Sequence, residues 1–275
     1  MALSEDATYC DCTAGGGGHL AAMLESTRTA RFIGIDCDPD AISHCRQRLA
    51  SFADRCTLVE DNFINLDLIL GRLNVESLNG VLFDLGVSYH QVTTAERGFS
   101  FDRDGRLLMT MSPSSMPLHE RLRHARRQEI ITVLKEYGDV RGYRRLGDLI
   151  YEHRSSLGST MDLRRLIERS VPRRFLKKNL HKVFQAFRIW TNDELGNLSQ
   201  GLTVALRRLC AEGRMLAIAY HSGEDRIVKR FCRQADKDGT ALLLRRKAVK
   251  PNDTEVEVNP SARSAKLRII KKCAS

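Results

Sequence analysis

Apolar positions follow two different rhythms along this 275-residue chain. In the first part, short apolar runs alternate with stretches of helical spacing. Residues 8–14 read as a strand, and "RFIGIDCD" at 31–38, "CTLVED" at 56–61 and "GVLFDLG" at 80–86 read as three more. Between them, Asp38-Pro39 opens a helix with proline in its first turn, and Ile42, Cys45, Leu49 and Phe52 follow at helical spacing. Strands that are apolar throughout, separated by helices on short loops, predict an α/β fold with a parallel sheet covered by helices.

After "ERGFSFDRDG" at 96–105 the alternation stops. Leu122, Ile130, Leu134 and Tyr137, then Tyr143, Leu146 and Ile150, then Leu163, Leu166 and Ile167, then Leu180, Val183, Phe184 and Phe187 keep a helical period. The sheet rhythm then returns. A helix from about Asp193 to Cys210 carries Leu195, Leu198, Leu202 and Leu209 on one face. "GRMLAIAYHS" at 213–222 reads as a fifth strand, with a helix at about 224–235, and "ALLLRRKAVK" at 241–250 and "AKLRIIKK" at 265–272 read as a closing pair. The expected organisation is one discontinuous α/β domain, 1–105 with 191–275, interrupted by a helical insertion at 106–190.

Charge changes this picture. The chain carries a net +10, with a pI of about 9.4. From His119 to Trp190 there are 18 Lys and Arg against 8 Asp and Glu, so the whole excess lies on the helical segment. That concentration points to a polyanionic partner rather than to a solvated face of mixed sign. No run approaches the ~18–20 apolar residues of a membrane span. The N-terminus "MALSEDATYCD" has no basic region followed by an apolar one. The expectation is a cytoplasmic protein without a membrane partner. The eight cysteines form no C-x-x-C pair and no zinc spacing, and read as reduced core thiols.

The candidate chemistry begins at "DCTAGGGGHL", where four glycines lie at a strand-to-helix turn. Bare backbone there lets a ligand approach closely, and the following helix offers free N–H groups. A nucleotide-type cofactor is the usual occupant of such a turn. Asp36 ends the second strand, where a carboxylate can accept both ribose hydroxyls; this suits NAD as well as S-adenosyl-L-methionine. Phe63 follows the third strand, placed either to pack on an adenine or to fill the core.

"DCTAGGGGHL", "IGIDCDPDAI", "VLFDLGVSYHQV" with "ERGFSFDRDG", "FQAFRI" with "NDELGNL", "AYHSGEDRIVKRF" and "NPSARSAKLR" occur in that order. Together they resemble the bacterial family of cytosine-N4 methyltransferases of small-subunit ribosomal RNA, over nearly the whole chain. The resemblance implies a class I, Rossmann-like methyltransferase sheet with a helical insertion, and S-adenosylmethionine held by Gly17, Gly18, His19, Asp36, Phe63, Asp84 and Gln91. It also implies small-subunit ribosomal RNA, free or in the assembled subunit, as partner. A homodimer is left open. Leu108 and Ser112 stand where the family carries acids.

Methyl transfer to an amino group needs an acceptor for its proton. Asp84, at the C-terminal end of the fourth strand, is the best-placed carboxylate, the alternative being a cap of the following turn. His221, ending the fifth strand, is the second catalytic candidate, the alternative being an ordinary hydrogen-bonded histidine. No metal is required. No cysteine follows proline, which argues against methylation at cytosine C5. The candidate phosphate contacts are Arg126, Arg127, Arg144, Arg145, Arg173, Arg174, Lys177 and Lys178 on the insertion. Arg263, in "NPSARSAKLR", is a phosphate contact or a solvated position. A non-catalytic ribosome-assembly factor that keeps the fold is the rival from another class.

Overall fold

A computed structural model describes residues 1–274. Two compact units emerge: Met1–Gly86 with the chain from Leu195 onward, and Val87–Glu194. The helical unit therefore begins well before Arg106.

The first unit is built on β1 (Thr8–Asp11), α1 (Gly18–Glu25), β2 (Arg31–Asp36), α2 (Pro39–Arg48), β3 (Cys56–Glu60), α3 (Leu66–Arg72) and β4 (Leu78–Asp84). After the helical unit it resumes with α10 (Glu194–Arg208), β5 (Leu209–Ala219), α11 (Ser222–Lys237), β6 (Ala241–Leu243), α12 (Asp253–Val258) and β7 (Lys266–Lys272). The strands order β3-β2-β1-β4-β5-β7-β6. β1 to β5 are mutually parallel, and β7 runs antiparallel between β5 and β6. This is the class I methyltransferase arrangement, with β1 and β4 at the switch point where ligands bind beyond the strand ends.

Alternation along the strands fills two cores. Cys10, Ile33, Ile35, Val81, Phe83, Met215 and Ala217 share one with Ile69 and Leu70 of α3, Leu198 and Leu202 of α10, and Val228 of α11. Tyr9, Phe32, Leu82 and Leu216 share the other with Leu20 and Leu24 of α1 and Cys45 of α2. β1, β2, β4 and β5 are thus apolar on both faces because both are covered. The Asp38 side chain accepts from the Asp40 N–H to cap α2, with Pro39 in the first turn. All eight cysteines are free thiols.

Two boundaries differ from the sequence pattern. Leu209 continues the helical period of α10 yet is the first residue of β5. The register with β4 shifts between Leu78 and Gly80, and Glu212 takes a left-handed φ of 65°. An irregular strand start has no period of its own, so the helix pattern runs through it. At the far edge, β6 stops at Leu243; the Leu244 N–H still donates to Ile269 O of β7 at 3.2 Å, and Val249 meets Leu267 of β7 further on, while the charged "RRK" between them leaves that stretch of edge unpaired.

The helical unit comprises α4 (Tyr89–Thr93), α5 (Leu118–His124), α6 (Arg127–Glu136), α7 (Tyr143–His153), α8 (Thr160–Ser170) and α9 (Leu176–Asn192). Its core gathers Leu122, Ile130, Leu134, Leu146, Ile150, Leu163, Ile167, Leu180, Val183, Phe184 and Phe187. Asp193, left-handed at φ 46°, ends α9. Arg188 then bridges that turn with two 2.8 Å bonds to the Glu194 carboxylate.

Candidate active site

The turn from β1 to α1 is tight because the backbone, not side chains, fills it. Gly15 and Gly17 are left-handed, at φ 49° and 74°. A Cβ on Gly17 would lie 2.8 Å from Cys45 Sγ of α2. Gly17 caps α1 with no side-chain hydrogen bond, so the first N–H groups of that helix are left for an incoming ligand.

Asp36 faces this loop from the end of β2. Its Oδ2 accepts from Gly15 N–H at 2.8 Å and its Oδ1 from Asp38 N–H at 2.9 Å. Burial raises its pKa, and these two N–H groups work in the opposite direction. The Cys37 N–H also bonds this carboxylate, which still keeps acceptor capacity for a hydroxyl. Phe63 lies in the turn after β3, its ring edge-on to Phe83 at 5.4 Å. A Cβ on Gly201 would come within 2.5 Å of the Phe63 ring, so α10 approaches it closely.

Asp11, at the end of β1, is 1% exposed. Its Oδ1 accepts from the Thr13 N–H at 3.0 Å and the Thr13 hydroxyl at 3.2 Å, while Oδ2 has no hydrogen-bond partner. Burial pushes its pKa up to about 6; the Thr13 N–H and the His19 charge oppose this, and Asp84 adds to it. A folded pKa above the unfolded value means that stability is lost as pH rises from about 4 through about 6. The two-unit shift corresponds to about 3 kcal/mol. Asp11→Asn is therefore expected to gain stability over the wild type by about 1–3 kcal/mol on going from pH 4.5 to pH 7.5. The unpaired amide costs the same at both pH values, so the difference isolates the charge. Denaturant unfolding of the ligand-free protein checks it, and a pH-independent gap would remove the buried charge from this account.

Asp84 closes the group. Its backbone N–H donates to Thr13 Oγ1 at 2.6 Å. Its Oδ2 stands 3.2 Å from His19 Nε2 and its Oδ1 accepts from the Tyr220 hydroxyl at 2.9 Å. The Asp84 hydrogen bond raises the His19 pKa, against desolvation. Burial first, then the Asp84 charge, push the Tyr220 phenol up, so it stays protonated and donates.

His221 is occupied differently. It is the N-cap of α11, with Nδ1 accepting from the N–H groups of Gly223 and Glu224 at 3.1 and 3.4 Å. Its Nε2 faces Glu224 Oε1 at 3.1 Å. The buried Glu224 carboxylate in turn accepts from the N–H of Tyr220 at 2.8 Å and of His221 at 3.2 Å. From this loop it is Tyr220, not His221, that reaches Asp84. Sequence reasoning passed over Tyr220. No sequence pattern marks it: Ile218 pairs in register with Asp84, and only that register puts the next loop residues beside it.

Gln91 lies on α4 of the helical unit, where its Oε1 accepts from Ser88 N–H at 2.9 Å in a capping box. Arg126, Arg127, Arg144, Arg145, Arg173, Arg174, Lys177 and Lys178 are all exposed on that unit. Arg127 pairs with Asp148 at 2.8 Å, and Arg174 lies over the exposed Phe175 ring at 4.8 Å. Arg263 is exposed, whereas Lys266 and Arg268 are both bound to Asp225.

Against known proteins, the model of the MraW methylase family matches residues 1–273. The chain belongs to that family. The ribosomal RNA small subunit methyltransferase H of Coprothermobacter proteolyticus is 37% identical over 275 residues, 99% of this chain and 92% of the relative. Its namesake from Symbiobacterium thermophilum is 39% identical over 295 residues, again 99% and 92%. That of Heliobacterium mobile is 38% identical over 290 residues, 97% and 93%.

As an MraW methylase the protein is an S-adenosylmethionine-dependent methyltransferase, and the NAD reading of the loop falls away. The residues present fit that cofactor: a side-chain-free helix start, a carboxylate aimed at the loop, and a buried acidic oxygen still lacking a donor. Asp36→Ala is expected to weaken S-adenosylmethionine binding by ~10-fold or more, since charge-assisted bonds to a hydroxyl pair are lost. Calorimetry reads it directly, and unchanged affinity would free Asp36 from this role. Among the described residues no helix is long and apolar enough to cross a membrane.

Proposed function

We propose that this protein methylates the exocyclic N4 of a cytidine in small-subunit ribosomal RNA, in the cytoplasm, on free RNA or on the assembled subunit. The observation that carries the reading is Asp84, a carboxylate at the mouth of the glycine loop with both oxygens oriented by neighbours.

A cytosine amino group is a poor nucleophile because its lone pair is delocalised into the ring. When bound, S-adenosylmethionine supplies an electrophilic methyl on its sulfonium. The protein must hold N4 in line with that methyl and accept a hydrogen bond from N4–H as positive charge grows there. Asp84 has lone pairs to spare for this, one on each oxygen. Gly17, Gly18 and Asp36 would hold the cofactor, with His19, Phe63 and Gln91 as the further contacts that the family implies. His221 serves through the loop it caps.

The helical unit, with Arg263 outside it, is the RNA-recognition element in this reading. Lys177 and Lys178 occupy the first turn of α9, and Arg144 and Arg145 that of α7; neither turn holds an acid. Cations there oppose the helix dipole and cost about 0.3–1 kcal/mol each. Their presence is better explained by phosphate than by stability. Extruding a base is least costly when it is already unpaired, which favours a single-stranded or loop cytidine.

Single-turnover transfer of labelled methyl to small-subunit RNA and to assembled subunits, followed by nucleoside analysis, tests this. N4-methylcytidine is the expected product. Label on another nucleoside would refute the specificity, and no transfer to either substrate would favour the assembly-factor reading.

A further inference from the structure

We infer that Tyr220 is a positioning residue for the methyl-transfer step, acting through Asp84; the inference rests on Asp84 as the N4 proton acceptor. An aspartate carboxylate turns about a soft torsion with broad, two-fold preferences. A single donor leaves it free to swivel, and a swivelled carboxylate aims no lone pair. Two donors on opposite oxygens fix its plane. His19 supplies one at 3.2 Å and Tyr220 the other at 2.9 Å.

The two donors are unequal. His19 has a side chain 49% exposed, and water competes for its ring. Tyr220 is half-buried, and its phenol cannot ionise near neutral pH. Its place is set from behind, because its backbone N–H is bound by the Glu224 carboxylate, which is 2% exposed. His221 and Glu224 cap α11 reciprocally. The cap holds the backbone of Tyr220, the phenol holds Asp84 Oδ1, and Asp84 keeps one set of lone pairs aimed outward. This chain of contacts gives the "YHSGE" string a purpose beyond starting a helix. It also explains why a histidine so near the fourth strand keeps its ring turned to its own helix.

The experiment is a double-mutant cycle in single-turnover methyl transfer at saturating S-adenosylmethionine, with Tyr220→Phe, Asp84→Asn and the pair. Phenylalanine keeps the ring and its packing, so thermal stability should stay within a few degrees. Cofactor affinity should move less than about 3-fold. Tyr220→Phe alone should slow transfer by about 10-fold or more, the scale of one hydrogen bond to a charged acceptor. With Asp84→Asn already present, the same change should cost less than about 2-fold, since no charge is left to orient. An equal loss on both backgrounds would mean that the phenol acts on the substrate itself, and positioning through Asp84 would be overturned. A slow Asp84→Asn beside a normal Tyr220→Phe overturns the inference alone. A normal Asp84→Asn removes the acceptor reading beneath it, and the inference with it.

Discussion

Asp84→Asn lowers the single-turnover rate of methyl transfer by about 100-fold or more, the usual range for a positioned proton acceptor. The substitution is nearly isosteric. An amide oxygen can still accept from Tyr220 or from His19, so the surrounding loop keeps its shape. What disappears is the negative charge that N4 must lean on as its lone pair leaves the ring. An amide neither holds that developing cation nor takes its proton. Stability should change little, because the side chain is 27% exposed and its partner His19 is 49% exposed, and partly solvated pairs of that kind contribute at most about 1 kcal/mol. Rapid-quench transfer with thermal unfolding alongside distinguishes chemistry from folding. A mutant with near-normal turnover would exclude Asp84 as the acceptor.

Reversing Arg144, Arg145, Arg173, Arg174, Lys177 and Lys178 to glutamate is expected to weaken RNA binding by about 1,000-fold or more at low salt. For single strands the logarithmic salt slope is about 0.7 per neutralised phosphate, so losing six contacts should flatten it by up to about 4. A misfolded variant would give the same loss of affinity. The helix ends argue against that outcome, because glutamate in the first turn of α7 or α9 agrees with the macrodipole where the native cations oppose it. The variant should melt no lower than the native protein. Its affinity for S-adenosylmethionine should also be unchanged, since none of the six is among the residues that would hold the cofactor. Survival of both RNA affinity and salt slope would move the RNA-binding surface elsewhere.

The parts of this molecule that could be read from its sequence are those with a period or a punctuation. Buried parallel strands announce themselves as unbroken apolar runs, so Ile33, Ile35, Val81 and Phe83 marked the sheet. Leu146, Ile150, Leu163 and Ile167 marked helices whose core they do fill. The four glycines marked a close approach of backbone, though not that Cys45 Sγ sits against Gly17. Asp36 and Asp84 were legible as acids at strand ends. Tyr220 was not, because a single phenol after a strand carries no pattern, and its meaning comes from the neighbouring strand's register. Nor was the burial of Asp11, which depends on helices and strands distant in the chain. His221 was legible as a polar residue at the end of the fifth strand. Its ring orientation follows from the Gly223 and Glu224 N–H groups, which any strand-end histidine at a helix start can bind.

The helical unit leaves the first unit at Val87 and returns it at Glu194, so β4 and β5 pair across the whole detour. While the helices are folded, that detour is a closed body with fixed ends. If they melt, the same stretch becomes a flexible loop of roughly 100 residues, and holding β4 beside β5 then costs on the order of 4 kcal/mol of closure entropy. That is a large share of the ~5–15 kcal/mol by which domains are usually stable. A lesion in the helical core at Leu163 or Phe187 would therefore weaken the central strands of the sheet through the chain alone.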